Sequence, residues 1–227
     1  MHPIGYVKST YKEKFTTPRQ SGLVPESRAQ IILESWVQPE KSLAGLETFS
    51  HIWVLFQFHD NKNKTFHAKV LPPRHAKKVG VFATRSPHRP NPIGLSMVRL
   101  EKIEGAVVYI SGVDVIDGTP VLDLKPYLPA VDNAPDATSG WTEEMQEPNL
   151  DVAWTAGAAS ALAELADGDR VRRLVENTLR LDPRPKILKG SRGLDYKKNY
   201  GATLEGFEVK FHYLSDTALC ISQIYPR

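Results

Sequence analysis

Between residues 4 and 124 the chain alternates short apolar, β-branched runs with turn residues and leaves no stretch long enough for crossover helices. That feature constrains the fold more than any other. The runs cover residues 4–7, 29–37, 51–58, 79–83, 95–103, 107–115 and 121–124. Gly45, Pro72-Pro73, Pro90-Asn91-Pro92, Glu104-Gly105 and Asp117-Gly118 punctuate them. Glycine supplies positive φ, and proline fixes φ while removing a backbone donor, so such clusters end strands. A parallel sheet would need a crossover of a dozen or more residues between successive strands. The pattern predicts a mainly β chain, a β-barrel or sandwich in its first half.

The second half reads differently. Residues 134–150 contain Pro135, Ser139, Gly140 and Pro148, which interrupt any period, and read as a linker. Residues 154–165 are Ala-rich and helical, with Ala158, Leu162 and Leu165 on one face. A turn at Asp167-Gly168-Asp169 follows, and Asp169 is placed to cap a helix over 170–181. Asp182-Pro183-Arg184-Pro185 stops that helix. Residues 205–214 and 218–225 alternate as two strands about Ser215-Asp216. The expected organisation is a β-barrel N-terminal domain over 1–135 and a small α+β C-terminal domain over 150–227.

Composition excludes several classes. With 41% hydrophobic and 24% charged residues the chain is globular rather than disordered. Its longest apolar run, residues 52–56, falls far short of the roughly 20 residues of a membrane helix. The first 14 residues are polar, so export is not expected. The lone cysteine, Cys220, forms no internal disulfide and suits a reducing cytoplasm. There is no G-x-G-x-x-G, no G-x-x-x-x-G-K-[ST] and no G-x-S-x-G. His51, His59, His67 and His75 recur every eight residues, which fits no metal-ligand spacing, so no metal is expected.

Charge is uneven. Residues 1–133 carry 17 Lys+Arg against 12 Asp+Glu, whereas 134–227 carry 12 against 14. From Lys62 to Arg99 there are nine Lys+Arg, three His and no acid. The run is either a solvated face or a phosphate-facing stripe, and composition leaves both open.

Four clusters carry chemistry. In residues 80–95, Pro87, Pro90 and Pro92 stiffen a loop bearing Arg85, His88, Arg89 and Asn91, and guanidinium forks held in fixed directions suit carboxylate or phosphate. Residues 15–23 pair Pro18 with Arg19 on a loop after the first strand. His59-Asp60 ends the most apolar strand and could orient a ligand or move a proton. Residues 114–127 hold Asp-Gly at 117–118, where backbone approaches a ligand closely.

On residues 11–15, Pro18-Arg19-Gln20, residues 45–53, the whole 80–95 loop, residues 117–127 and Asp182-Pro183-Arg184-Pro185, the chain resembles the TrmO/TsaA-like family of tRNA (adenine-N6)-methyltransferases, in the bacterial form with a C-terminal extension. The resemblance implies an S-adenosylmethionine-dependent enzyme without a Rossmann fold, commonly a cytoplasmic homodimer. It implies methylation of N6 on threonylcarbamoyladenosine next to the anticodon of threonine tRNA. Carried onto matching positions, cofactor contacts fall on Pro18, Arg19, Gln20, His59, Asp60, Arg85, Leu95, Asp117, Gly118, Thr119 and Pro120.

Methyl transfer is an in-line displacement that mainly demands alignment. A carbonyl beside N6 acidifies its proton, so a modest acceptor or water suffices; His59 and Asp117 are the candidates. Arg89 is assigned to substrate or to loop structure. Lys62, Lys64, Lys69, Arg74, Lys77 and Lys78 would meet tRNA phosphates, which position without specifying sequence. The competing reading is a non-enzymatic small β-barrel that binds RNA or a nucleotide through the same basic face. The C-terminal part is expected to orient RNA rather than hold the chemistry.

Overall fold

The computed structural model describes every residue except 15, 62–65, 74, 146–147, 185–194 and 197. The chain divides into two compact units. One comprises Met1–Lys8, Ala29–Ile110 and Gly118–Gln146, and the other Ser9–Arg28, Ser111–Asp117 and Glu147–Arg227.

The first unit is built on a closed barrel. Its strands are β1 (Gly5–Ser9), β2 (Arg28–Leu33), β3 (His51–Gln57), β6 (Ile93–Glu104), β7 (Val107–Ser111) and β8 (Pro120–Pro126), in the order β1-β2-β7-β6-β3-β8. β4 (Lys69–Val70) and β5 (Val79–Gly80) form a separate two-stranded ribbon. Alternation drives closure: Ile52, Val54 and Phe56 of β3 point inward with Val98 and Leu100 of β6, Val108 and Ile110 of β7, and Ile31 of β2, all buried. Each such side chain contributes about 1.5–3 kcal/mol by leaving water. Gly94 stands opposite Phe56, and a Cβ there would lie 2.2 Å from the Phe56 ring. The glycine is therefore the hole that the aromatic ring fills.

Three sequence expectations shift here. The run at 29–37 is strand only to Leu33, after which Ser35–Val37 forms a 3-10 turn. The run at 79–83 is strand only to Gly80, with a 3-10 turn over Val81–Ala83. The run at 107–115 ends at Ser111, because Gly112 adopts φ 69° and turns the chain out of the barrel. Val113 and Val115 stay buried, but within the second unit.

The second unit holds a four-stranded sheet, β10 (Tyr200–Leu204), β11 (Phe207–Ser215), β12 (Ala218–Pro226) and β9 (Asp151–Trp154), in that order. β9 runs parallel to β12 and the other pairs are antiparallel. β9 and β10 were not expected. Trp154 is the last residue of β9 rather than a helix start, and Thr155 caps the helix by accepting from the Ala158 amide at 3.3 Å. Among the described residues there are four α-helices: α1 (Pro39–Ser42), α2 (Pro129–Asp132), α3 (Ala156–Ala163) and α4 (Gly168–Arg180). α4 begins two residues earlier than predicted, and Asp169 lies inside it rather than capping it. Gly168 passes so close to the Leu162 carbonyl that a Cβ would stand 2.5 Å from its oxygen. Val171, Leu174, Val175 and Leu179 form the buried stripe of α4, as the period requires.

Candidate functional site

The 80–95 loop is locked by its own residues. Arg89 Nη1 donates to the Thr84 carbonyl at 2.6 Å and to the Val81 carbonyl at 3.4 Å, with the guanidinium 5.9 Å from the Phe82 ring centre. Thr84 Oγ1 donates to the Val81 carbonyl at 2.8 Å and accepts from the Ser86 amide at 3.2 Å. The loop is also tied to the end of β3: the Phe58 amide donates to the Pro92 carbonyl at 2.8 Å, and Asn61 Nδ2 reaches the Pro87 carbonyl at 3.4 Å and His88 Nδ1 at 3.2 Å. Phe58 and Asn61 flank His59 and Asp60, so two sequence clusters become one surface. The two loop arginines separate by role. Arg89 builds the loop, whereas Arg85 is exposed.

The Asp117-Gly118-Thr119-Pro120 turn joins that surface through Gly118. Its φ is 74°, its amide donates to the Val7 carbonyl at 2.8 Å, and a Cβ there would stand 4.0 Å from His59 Nε2. A side chain would fill the space before the imidazole; glycine leaves it open. Thr119 is buried, and Pro120 is half-buried in β8. Leu95 points out of the barrel at 53% exposure between buried Gly94 and Ser96.

Asp117 itself is engaged within the second unit. Oδ1 accepts from the Ser9 amide at 2.9 Å, Oδ2 pairs with Lys12 Nζ at 2.6 Å, and the Asp117 amide donates to the Tyr11 carbonyl at 2.8 Å. Both carboxylate oxygens of Asp117 are engaged in holding the turn.

The second unit brings together the other two motifs. Residues 16–19 and Lys14 face Thr178 and residues 181–184 across a cleft of about 100 Å³. Pro18 is buried there, Arg19 is exposed, and Gln20 is half-buried. The far wall is a rigid helix stop. Asp182 takes φ 56°, and its amide donates to the Leu179 carbonyl at 3.0 Å. Arg184 folds back to grip Asp182 through Nε–Oδ1 at 2.5 Å and Nη2–Oδ2 at 2.9 Å, over the Tyr213 ring at 4.7 Å. Burial, with Asp182 nearby, pushes the Tyr213 phenol above its usual value. Small-molecule sites span about 300–1,000 Å³, so this cleft alone accommodates one group, such as a carboxylate.

Of the basic stripe, Lys69, Lys77 and Lys78 are exposed. Arg74, Lys62 and Lys64 lie outside the described residues. The sequence reading missed Trp141, placed in the supposed linker. Its Nε1 donates to the Ala83 carbonyl at 2.9 Å, and its ring lies 5.0 Å from that of His75. A lone tryptophan among interruptions carries no period that would have revealed this. Among the described residues no helix is long and apolar enough to cross a membrane, and no group of three His, Cys, Asp or Glu is placed to hold a metal.

A closed six-stranded barrel that carries a clamped arginine loop, with no dinucleotide motif, is a non-Rossmann architecture. The comparisons give it a family. The tRNA-methyltransferase O N-terminal domain model matches residues 6–133, and the TrmO C-terminal domain model matches 147–226. The tRNA (adenine(37)-N6)-methyltransferase of Escherichia coli is 35% identical over 231 residues, with 99% of this chain and 97% of that one covered. A Pseudomonas aeruginosa protein, RcsF, named provisionally as an S-adenosylmethionine-dependent methyltransferase, is 42% identical over 217 residues, covering 93% and 91%. The crystal structure of TrmO from Pseudomonas aeruginosa superposes with a TM-score of 0.78 at 37% identity, covering 100% of this chain and 96% of that one. The chain belongs to the tRNA-methyltransferase O family.

Proposed function

We propose that the protein methylates N6 of adenine 37 in tRNA with S-adenosylmethionine as cofactor, and that its substrate base carries the threonylcarbamoyl group, in threonine tRNA. The cofactor and the tRNA reaction follow from the family and from the relatives' names. One observation carries the reading: the loop that bears Arg85, locked by Arg89, is tied through Pro87 and His88 to Asn61, next to the His59-Asp60 strand end.

S-adenosylmethionine supplies the activated methyl group. The residues present suit it, since exposed Arg85 is a fork for a carboxylate and Gly118 leaves backbone room before His59. Arg85 binds the carboxylate, the rigid loop orients what it binds, and His59 accepts the N6 proton directly or through water. The protein works as a cytoplasmic homodimer in this reading, each copy completing the open site of the other.

The test is methyl transfer to threonine tRNA with and without the threonylcarbamoyl group. Methylation only of the modified tRNA supports the reading, and equal methylation removes the modification from substrate recognition. Isothermal titration with S-adenosylmethionine alone separates the enzyme from a plain RNA-binding barrel, which would give no heat.

A further inference from the structure

We infer that Phe82 is a stacking platform for an unpaired base of the RNA substrate, an inference that rests on the tRNA reading above. Phe82 lies in the 3-10 turn of the clamped loop and is 75% exposed. An exposed phenyl ring is ordinary on a protein surface when it sits alone on a mobile segment. This one does not. The turn that carries it is held at three carbonyls around the ring: the Arg89 guanidinium binds those of Val81 and Thr84, and Trp141 binds that of Ala83. The backbone that carries the ring is thus held while the ring offers its surface to solvent.

Its surroundings select the partner. The Arg89 guanidinium lies 5.9 Å from the ring centre and adds a cation beside the aromatic surface. Exposed Lys77 and Lys78 precede the turn, exposed Arg85 follows it, and the His75 and Trp141 rings lie 5.0 Å apart at a tilt of 53°. From residue 62 to 99 there is no carboxylate to repel a phosphate. Aromatic rings set in a cationic surface suit single-stranded nucleic acid, whose bases stack while its phosphates meet lysines. A second copy of this chain, whose 62–99 segment is equally cationic, is the poorer electrostatic match for this surface.

The stacked base and the phosphates contribute separable quantities. Phe82→Leu keeps the apolar volume and removes the π face; Phe82→Trp enlarges it. Unmodified threonine tRNA transcript is the probe, with wild-type binding and methylation of native tRNA measured first. Phe82→Leu is expected to weaken tRNA binding about tenfold with an unchanged salt slope, because no phosphate contact is lost. Phe82→Trp should retain wild-type affinity. The Lys77→Ala/Lys78→Ala variant should instead flatten the slope by about one to two. Affinity for S-adenosylmethionine should be the same in all four proteins. Wild-type tRNA affinity in Phe82→Leu overturns the platform while leaving the methyltransferase reading intact. So does a change in sedimentation, which would place Phe82 against a second copy, or a parallel loss of cofactor affinity. Wild-type protein that neither binds nor methylates tRNA overturns both.

Discussion

Arg85 and Arg89 stand four residues apart on one loop, and at the residue scale their chemistry diverges because of where their donors go. Arg89 directs its Nη1 at the Val81 and Thr84 carbonyls, so it is part of the backbone's own satisfaction. Arg89→Ala should lower unfolding free energy by roughly 1–3 kcal/mol in urea titrations, the cost of charge-assisted bonds to partly buried carbonyls. Arg85→Ala should weaken S-adenosylmethionine binding more than about tenfold by calorimetry. An unchanged affinity in that variant would remove Arg85 from cofactor binding. Tyr11 gives a pH prediction. It is fully buried, and burial raises its phenol well above the usual value of about 10. The folded state therefore keeps a proton that the unfolded chain releases. Stability is fully present below pH 10 and declines above it. Tyr11→Phe should decline less steeply between pH 10 and 11, by up to about 1.4 kcal/mol per pH unit. Identical slopes would remove Tyr11 from alkaline unfolding.

The helix stop at residues 181–184 shows how an element boundary becomes a wall of a cleft. Proline alone would end α4, but Asp182 in the left-handed region and the return of Arg184 fix the shape of the turn over residues 181–184. The Arg184 and Asp182 side chains are 9% and 5% exposed. Removing one partner strands the other, so Arg184→Ala should destabilise the protein by about 3 kcal/mol, measured by thermal melting, while Arg184→Lys recovers only part because it lacks the fork. An unchanged melt would make the pair incidental. The long strands and α4 were legible because their periods are strong and their neighbours only confirmed them. β9 and β10 were not. Four residues beginning with aspartate carry too little alternation to register, and β9 exists because the β12 edge pairs with it.

At the scale of the molecule, the division into units departs from the order of the chain. Residues 9–28 and 111–117 belong with the C-terminal segment. Arg170, Arg173 and Asn177 of α4 all reach Glu26: Arg170 to its carbonyl at 3.3 Å, Arg173 and Asn177 to its carboxylate at 3.4 and 3.0 Å. Val24 and Tyr11 are buried in the same unit. A chain ending at Asn133 should therefore expose the 9–28 segment, seen as new proteolytic cleavage within it and a lowered melting midpoint. Full protease resistance there would show that the segment holds without α4. The cleft beside Pro18 and Arg19 should be lost with it, since residues 178–184 form the opposite wall.

Period and composition determined the barrel strands, the helical stripe and the absence of a dinucleotide motif, because these depend on side chains a few residues apart. The arginine loop was legible for the same reason: three prolines and two arginines within 16 residues restrict the backbone wherever the loop lies. Only the tertiary structure decided that Arg89 clamps while Arg85 faces outward, that Asp117 is tied to Ser9 and Lys12, and that Trp141 braces Ala83. Those contacts join residues up to 108 positions apart. No local pattern encodes such pairings, because their geometry is set by barrel closure and by where Gly112 and Gly118 turn the chain.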